Sequence, residues 1–388
     1  MNKVSKKLKM MFPLRNILEN FNRGLRLIRI INFNPKQLFG PLSVEISLTS
    51  ACNFNCYFCH SHSVLNEDKH PSQALSDSAI FELLEDLLSM KIEEIRFSGD
   101  GEPFLHSRFQ EIIDVCKGCK IKIVTNGSKL NLVSADLFSK IHKLTISLNS
   151  INNETHRLIH GYKGSTQLPL IIENIERLLR LPQTRQKLQI NCAIDTSNIG
   201  ELESLFQLSN RWNVFFAVRP VGAAFPGIES KVLTFAQMQN AQEEIREMLR
   251  KKYLSPNATV SLKHALFSFL SYRPQNRFLP CYAGFYGAYI ASSGDYRICC
   301  NCRLAMGNIN RQRFSRLWKC KQVQETLYAA SLMHQNDIGI CSECVSCREV
   351  RMYSRTFHVV FSKIPYQARL LRHRYLSNSR RLGKGNKT

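Results

Sequence analysis

The chain has 388 residues, fourteen cysteines and a net charge of +23. This length allows one large domain and a smaller one, and no apolar run reaches the eighteen or so residues that a membrane-spanning helix needs. The cysteines fall in motif-like groups, so we expect reduced, metal-binding thiols in the cytoplasm rather than a disulfide framework.

Residues 1–40 form a basic, amphipathic N-terminal segment. Apolar residues recur at helical spacing over 12–31, and the arginines among them argue against a secretory signal peptide. Such a helix suits peripheral binding to a membrane, docking of a partner or coverage of an open edge of the fold. The C-terminal tail, 361–388, is also basic. Both ends are suited to a membrane or nucleic-acid contact, or to keeping the protein in solution.

The first cysteine group is a loop with the spacing C-x3-C-x2-C, formed by Cys52, Cys56 and Cys59. Three thiolates so close in sequence can bind three irons of a [4Fe–4S] cluster and leave the fourth iron open for a small molecule. A zinc ion would need a fourth ligand, for which His60 and His62 are near. The spacing favours the cluster, and zinc stays an alternative on this loop alone.

Strand-like runs alternate with amphipathic helical patterns between residues 41 and 221. The predicted strands are 43–49, 94–98, 120–124, 143–148, 188–195 and 214–219. The predicted helices are 77–89, 107–117, 132–140, 167–181 and 200–211. This alternation predicts a parallel sheet with helices outside, and six units are fewer than the eight that close a TIM barrel. Chemistry is expected at the carboxyl ends of the strands.

Small and polar residues follow several of these strands, as in Gly99-Asp100-Gly101-Glu102-Pro103. Together with the cysteine loop, their order resembles the radical S-adenosylmethionine (SAM) family over roughly residues 42–220. Asp100 stands in place of the second glycine of that family's Gly-Gly-Glu-Pro motif. The resemblance implies an α/β fold, a partial (β/α)6 TIM-like barrel over 41–221, and a SAM-binding [4Fe–4S] cluster on the cysteine loop.

The resemblance also implies which residues surround SAM. They are Tyr57 and Phe58 at the adenine, Gly99, Asp100, Gly101 and Glu102 at the methionine amino group, and Asn126, Ser147 and Asn149 at the carboxylate and ribose. The family often has an arginine before the glycine that follows the fourth strand's loop, where this chain has His160 before Gly161. Arg157 is therefore expected to take the arginine's place at the SAM carboxylate.

A helical connecting region, 222–278, leads to a small cysteine-rich C-terminal domain, 279–360. Its cysteines include Cys281, Cys299, Cys341, Cys344 and Cys347. This region resembles the SPASM or twitch extension of radical SAM enzymes, which implies one auxiliary [4Fe–4S] cluster. The implied ligands are the first four of these cysteines, with the fifth as a rival for one place. A zinc ion held by four of them is the alternative.

The resemblance implies an enzyme that cleaves SAM to a 5′-deoxyadenosyl radical and abstracts hydrogen from its substrate. SPASM and twitch enzymes act on peptides, protein side chains or sugar-like alcohols, so we expect a net oxidation or modification of such a substrate, with SAM consumed once per turnover. A flavodoxin or ferredoxin is expected as electron donor. The alternative function is a metal-binding protein that contacts nucleic acid or a membrane through its tails and does not cleave SAM.

Overall fold

A computed structural model describes residues 40–66, 73–162, 167–222, 227–271, 283–300, 302 and 304–332. The predicted N-terminal segment up to residue 39 and the predicted C-terminal tail lie outside these residues. The same is true of four predicted cluster ligands, which are Cys281, Cys341, Cys344 and Cys347. No helix in the described ranges combines the length and the apolar character that a membrane span requires.

The strands of the described residues form one sheet. They are β1 (Ser43–Ile46), β2 (Glu94–Phe97), β3 (Lys120–Thr125), β4 (Lys143–Ser147), β5 (Leu188–Ile194), β6 (Phe215–Pro220), β7 (Gly287–Ile290), β8 (Asp295–Arg297) and β9 (Gly307–Asn308). The order across the sheet is β6-β5-β4-β3-β2-β1-β7-β8-β9. The first six strands pair in parallel, so their carboxyl ends lie at one edge. All six predicted strands, and the predicted α/β barrel class, are confirmed.

Helices follow the strands at the five predicted positions, and the described residues form further helices besides. They are α1 (Asp77–Ser89), α2 (Phe109–Val115), α3 (Ala135–Lys140), α4 (Asn153–His160), α5 (Leu168–Leu179), α6 (Thr184–Lys187), α7 (Leu202–Trp212), α8 (Phe235–Arg250), α9 (Pro256–Ser271), α10 (Ala283–Tyr286), α11 (Phe314–Lys319) and α12 (Lys321–Leu332). The Ser76 hydroxyl caps α1 by accepting from the Ala79 N–H. This helix buries one apolar stripe, made of Ile80, Leu83, Leu84 and Leu87.

The core lies between the sheet and these helices. In β3, for example, Ile121, Ile123 and Thr125 are buried, whereas the alternate residues are half-buried. Because successive side chains of a strand point to opposite faces, the half-buried set faces the lumen of the barrel.

The C-terminal region continues the barrel sheet. Strand β7 pairs in parallel with β1, and β8 and β9 add antiparallel strands beyond it. The described part of the predicted C-terminal domain is therefore joined to the barrel by backbone hydrogen bonds. The domain boundaries 41–221, 222–278 and 279–360 stay predictions.

Candidate active site

The cysteine loop follows β1 at the carboxyl edge of the sheet. Cys52, Cys56 and Cys59 are each half-buried. Burial raises the pKa of Cys52 to about 11 and that of Cys56 well above its usual value, and neighbouring thiols of the loop raise both further. The three thiols thus lie within electrostatic range of one another and share one desolvated site.

This arrangement fits an iron–sulfur cluster better than a zinc ion. No three His, Cys, Asp or Glu side chains of the described residues come close enough together to bind one metal ion. A cluster needs no such convergence, because each thiolate binds a different iron. The His62 ring, considered above as a fourth zinc ligand, lies 2.8 Å from the Asp100 carbonyl oxygen through Nε2. The residues present therefore fit a cluster held by three cysteines.

Gly101 explains why the loop approaches β2 so closely. A Cβ at this position would lie 2.4 Å from the Ala51 carbonyl oxygen and 2.5 Å from that of Thr49. The next residue, Glu102, donates its backbone N–H to the same Ala51 oxygen at 2.9 Å. The backbone of the loop therefore packs directly against Gly101, where there is no room for a side chain.

His160, which the sequence marked only as a departure from the family pattern, contacts the loop directly. Its Nδ1 lies 3.0 Å from Cys56 Sγ. Asn149 Oδ1 accepts from the Ala193 N–H, so its Nδ2 faces His160 Nε2 at 3.4 Å as a donor. Burial holds the pKa of His160 well below its usual value, so the ring is neutral. Its single proton then sits on Nδ1 and points at the Cys56 sulfur.

The Glu102 side chain is bonded within the carboxyl edge of the barrel, which we call the rim, and does not point freely into the site. Its carboxylate accepts from the Thr125 hydroxyl and the Asn126 N–H, both at 2.7 Å, and from the Phe104 N–H at 3.2 Å. Burial raises the pKa of Glu102 to about 7, although these hydrogen bonds oppose the shift. Asn126 in turn donates to Asn53 Oδ1 at 2.9 Å and lies 3.7 Å from Cys52 Sγ. The network ties the end of β3 to the cysteine loop.

Asp100 lies beside Glu102 in the motif, but its side chain turns the other way. It accepts from the Tyr289 hydroxyl at 2.8 Å, and from the Ser292 N–H and hydroxyl at 2.9 and 2.8 Å. Burial would raise the pKa of Asp100, but these hydrogen bonds hold it below its usual value. Asp100 was expected at the methionine amino group, whereas its side chain binds the C-terminal extension of the sheet. The carboxylate that replaces the family's glycine thus joins the two regions.

The loop carries two neighbouring aromatic residues, Tyr57 and Phe58, and contacts with later parts of the chain hold the Tyr57 ring in place. The Tyr57 hydroxyl donates to Asp195 and lies 3.3 Å from Ser197 Oγ, and the Lys231 ammonium lies 4.9 Å from the centre of the Tyr57 ring. Phe58 is half-buried and meets Tyr57 edge-on at 5.7 Å. The buried Tyr57 therefore anchors the loop, and the Phe58 ring is the one that stays partly open.

The remaining predicted residues divide between the rim and other places. Gly99 has a φ of +120° and lies against Ser47 and Tyr289. Ser147 ends β4 half-buried at the rim. The Arg157 side chain is 56% exposed and pairs with Glu154 at 2.9 Å. Its place at the SAM carboxylate stays a prediction.

Of the predicted auxiliary ligands, only Cys299 belongs to the described residues. It is half-buried just after β8, and its carbonyl accepts from the N–H of the buried Cys302. The auxiliary ligand set stays a prediction.

Two family descriptions match this chain. The radical SAM superfamily matches residues 46–207, and the SPASM iron–sulfur cluster-binding domain matches 281–347, together more than half of the sequence. The chain belongs to the radical SAM superfamily. Membership and the second match imply SAM, a SAM-cleaving [4Fe–4S] cluster and an auxiliary cluster, as predicted from the sequence.

Curated relatives are distant. The AdoMet-dependent heme synthase of Methanosarcina barkeri (strain Fusaro / DSM 804) is 23% identical over 342 residues, which cover 81% of this chain and 93% of that protein. The GTP 3',8-cyclase of Crocosphaera subtropica (strain ATCC 51142 / BH68) is 26% identical over 220 residues, covering 54% of this chain and 65% of that protein.

Solved structures show the same fold. Native anSMEcpe with bound AdoMet gives a TM-score of 0.56 at 16% identity, covering 87% of this chain and 100% of that one. Streptococcus suis SuiB bound to precursor peptide SuiA gives 0.55 at 14% identity, covering 88% and 76%. At these identities the likeness establishes the fold alone.

Proposed function

We propose that this protein cleaves SAM at a [4Fe–4S] cluster bound by Cys52, Cys56 and Cys59 and uses the product radical to abstract hydrogen from a substrate. The observation that carries this proposal is the cysteine loop itself. Its three thiols share one desolvated site at the carboxyl edge of a parallel barrel, and they do not converge on a single ion. When bound, the reduced cluster supplies the electron that cleaves SAM, which is the cofactor's own chemistry.

The chain's residues would bind and orient SAM. Phe58 offers a partly open ring for the adenine, and Asn126 and Ser147 offer polar groups at the ends of β3 and β4. Glu102 and Asn149 would position neighbouring residues rather than contact SAM, because their polar atoms are already hydrogen-bonded within the protein. His160 would donate to the Cys56 sulfur and exclude water from it.

We further propose a net oxidation of the substrate. The substrate would give a hydrogen atom to the 5′-deoxyadenosyl radical, forming 5′-deoxyadenosine, and then a proton to solvent. An auxiliary cluster would supply an acceptor for the remaining electron. Cys281, Cys299, Cys341 and Cys344, with Cys347 as a rival, are the proposed ligands of that cluster. Four cysteine ligands would leave the auxiliary cluster no open iron, so it would accept an electron rather than bind the substrate. The reaction would then be a net oxidation that does not regenerate SAM, and one SAM would be consumed per turnover. A flavodoxin or ferredoxin is the proposed donor of the first electron.

The test compares two cysteine variants of the anaerobically reconstituted protein. Changing Cys52, Cys56 and Cys59 together to Ala should abolish 5′-deoxyadenosine formation and lower the iron content from about eight to about four per chain. Cys119→Ala, at a buried thiol that bonds the Ile92 carbonyl outside the site, should change neither. If the triple variant still cleaves SAM, the assignment is wrong. About four irons with one zinc in the wild type would favour a zinc ion at the C-terminal cysteines in place of the auxiliary cluster.

A further inference from the structure

The lumen of the barrel carries a row of cations that the proposed SAM chemistry does not use. Arg96 on β2 lies opposite Lys122 on β3, and Lys122 lies opposite Lys143 on β4. Glu45 on β1 lies opposite Arg96. These residues are half-buried and alternate with fully buried apolar ones, so the row faces the lumen and not the surrounding helices. We call Arg96, Lys122 and Lys143 the lumen cation row.

Carboxylates within the lumen balance this row only in part. Lys122 pairs with Glu94 at 2.5 Å. Arg96 lies 3.6 Å from Glu94 and 3.9 Å from Glu45, and both distances exceed that of an ordinary hydrogen bond. Lys143 forms no ion pair with any residue in the described ranges. Two of the three cations therefore keep donors for a ligand.

The environment of Lys143 shows that the positive charges converge. Burial lowers the pKa of Lys143, Lys122 and Arg96 lower it further, and Glu94 opposes them. Arg219, near the carboxyl end of β6, acts in the same direction as the other cations. Like charges that face each other on neighbouring strands destabilise a sheet. The row therefore costs folding stability, and a bound anion would offset that cost.

The row is deep but reachable. Lys122 precedes Asn126 by four residues, which corresponds to about 13 Å along a strand. The Arg96 side chain is 41% exposed, so small solutes can approach it. A small elongated molecule anchored at the row would place its other end near the proposed SAM site at the rim. The surface of a folded protein would not enter this far.

We propose that the lumen cation row binds the anionic end of the substrate, a small molecule with two or more carboxylate or phosphate groups. The inference rests on the proposed function, because it places the substrate beneath the SAM site. Guanidinium and ammonium groups form strong charge-assisted hydrogen bonds with both kinds of oxyanion. Cations side by side on neighbouring strands suit several oxygens rather than a single charge.

Calorimetric titration of the anaerobic holoenzyme without reductant tests the proposal. The probes are pyrophosphate and tricarballylate, and the variants are Lys143→Gln and Arg96→Gln. Each change should weaken the binding of the preferred probe roughly tenfold, because each removes a charge-assisted hydrogen bond. The tighter probe identifies phosphate or carboxylate as the recognised group. The control Lys263→Gln removes an equal charge from the exposed surface of α9 and should leave both affinities unchanged.

Two further measurements separate this site from the basic ends of the chain. Heparin, a polyanion, would bind the basic ends of the chain, so its affinity should not change in Lys143→Gln. The same variant should melt a few degrees higher than the wild type, because it removes a desolvated cation from among like charges, whereas loss of a structural lysine would lower the melting temperature.

The proposal is overturned if neither probe binds, if Lys143→Gln binds both as the wild type does, or if Lys263→Gln or heparin shows the same loss. A lowered melting temperature in Lys143→Gln counts against it as well. No SAM cleavage is measured here, so such a failure leaves the proposed function standing. Conversely, SAM cleavage by the triple cysteine variant would overturn the proposed function without touching anion binding.

Discussion

The carboxyl edge of the barrel and its lumen use polar residues in opposite ways. At the edge, Glu102, Asn149 and His160 are buried, and their polar atoms bond other parts of the protein. In the lumen, the cations of neighbouring strands lie side by side, and Lys143 has no ion-pair partner in the described ranges. Polar groups at the edge that are already hydrogen-bonded hold the cysteine loop in place, whereas lumen cations with too few carboxylate partners favour the binding of an anion. The predictions below test the satisfied edge, from the largest effect to the smallest.

The largest effect is expected from Gly101→Ala. The new methyl group would lie 2.4 Å from a backbone oxygen of the cysteine loop, and backbone cannot give way as a flexible side chain can. Overpacking of this kind costs about 1–3 kcal/mol, and here it would also displace the loop. We expect a lower melting temperature and the loss of about four irons per chain on reconstitution.

Gly200→Ala is the matched control for this change. No atom lies within 4 Å of the position that its Cβ would take. Its melting temperature and iron content should equal those of the wild type. A Gly101→Ala protein with full iron content would show that the loop does not depend on this contact.

A second test uses pH, because the folded protein favours the neutral form of Glu102. Burial raises its folded pKa from the ordinary 4.5 to about 7. Between these values the folded state binds a proton that the unfolded state lacks, so the free energy of unfolding falls as pH rises from about 4.5 to about 7. The loss should amount to roughly 2–3 kcal/mol in denaturant unfolding. Glu102→Gln should lack this part of the pH dependence, and equal slopes in both proteins would contradict the assignment.

A third test breaks the link between the edge and the C-terminal extension. Asp100→Ala leaves the Tyr289 hydroxyl and the Ser292 donors without their carboxylate, which should cost about 2 kcal/mol of unfolding free energy at neutral pH. Glu154→Ala removes a carboxylate whose side chain is 80% exposed and should cost less than about 0.5 kcal/mol. Equal losses in the two variants would mean that Asp100 does not join the two regions.

The sequence predicted the barrel well because strand and helix patterns are local. Each of the six parallel strands carries a β-prone apolar run bounded by polar residues, and the structure confirms all six. Helix α4 was missed, since its eight residues carry little apolar pattern. Its signals were the Asn152 cap and Gly161, which takes the left-handed conformation at the end of the helix.

The site was predicted in its parts but not in its contacts. Cysteine spacing placed three thiols on one loop, yet no local pattern could tell that Asp100 turns toward β7, which lies nearly two hundred residues later. The contact of His160 with Cys56 is likewise long-range. The replacement of the family's arginine by His160 is the local signal for this contact, whereas the expectation that Arg157 takes the arginine's place stays a prediction.

The smallest effect is expected at His160, and it reports on the proposed cluster. The Nδ1 proton points at Cys56 Sγ, and a hydrogen bond to a ligand sulfur stabilises the more negative, reduced cluster. His160→Leu should therefore lower the reduction potential of the SAM-binding cluster by some tens of millivolts, where about 59 mV is tenfold in a one-electron equilibrium. A redox titration followed by electron paramagnetic resonance measures this shift. The control is His106→Gln, at a ring whose Nε2 lies 3.7 Å from Asp77 Oδ1. If the potential stays unchanged while the iron content is full, His160 packs against the loop without donating to Cys56. The ring would then hold the loop in position but leave the reduction potential of the cluster unaffected.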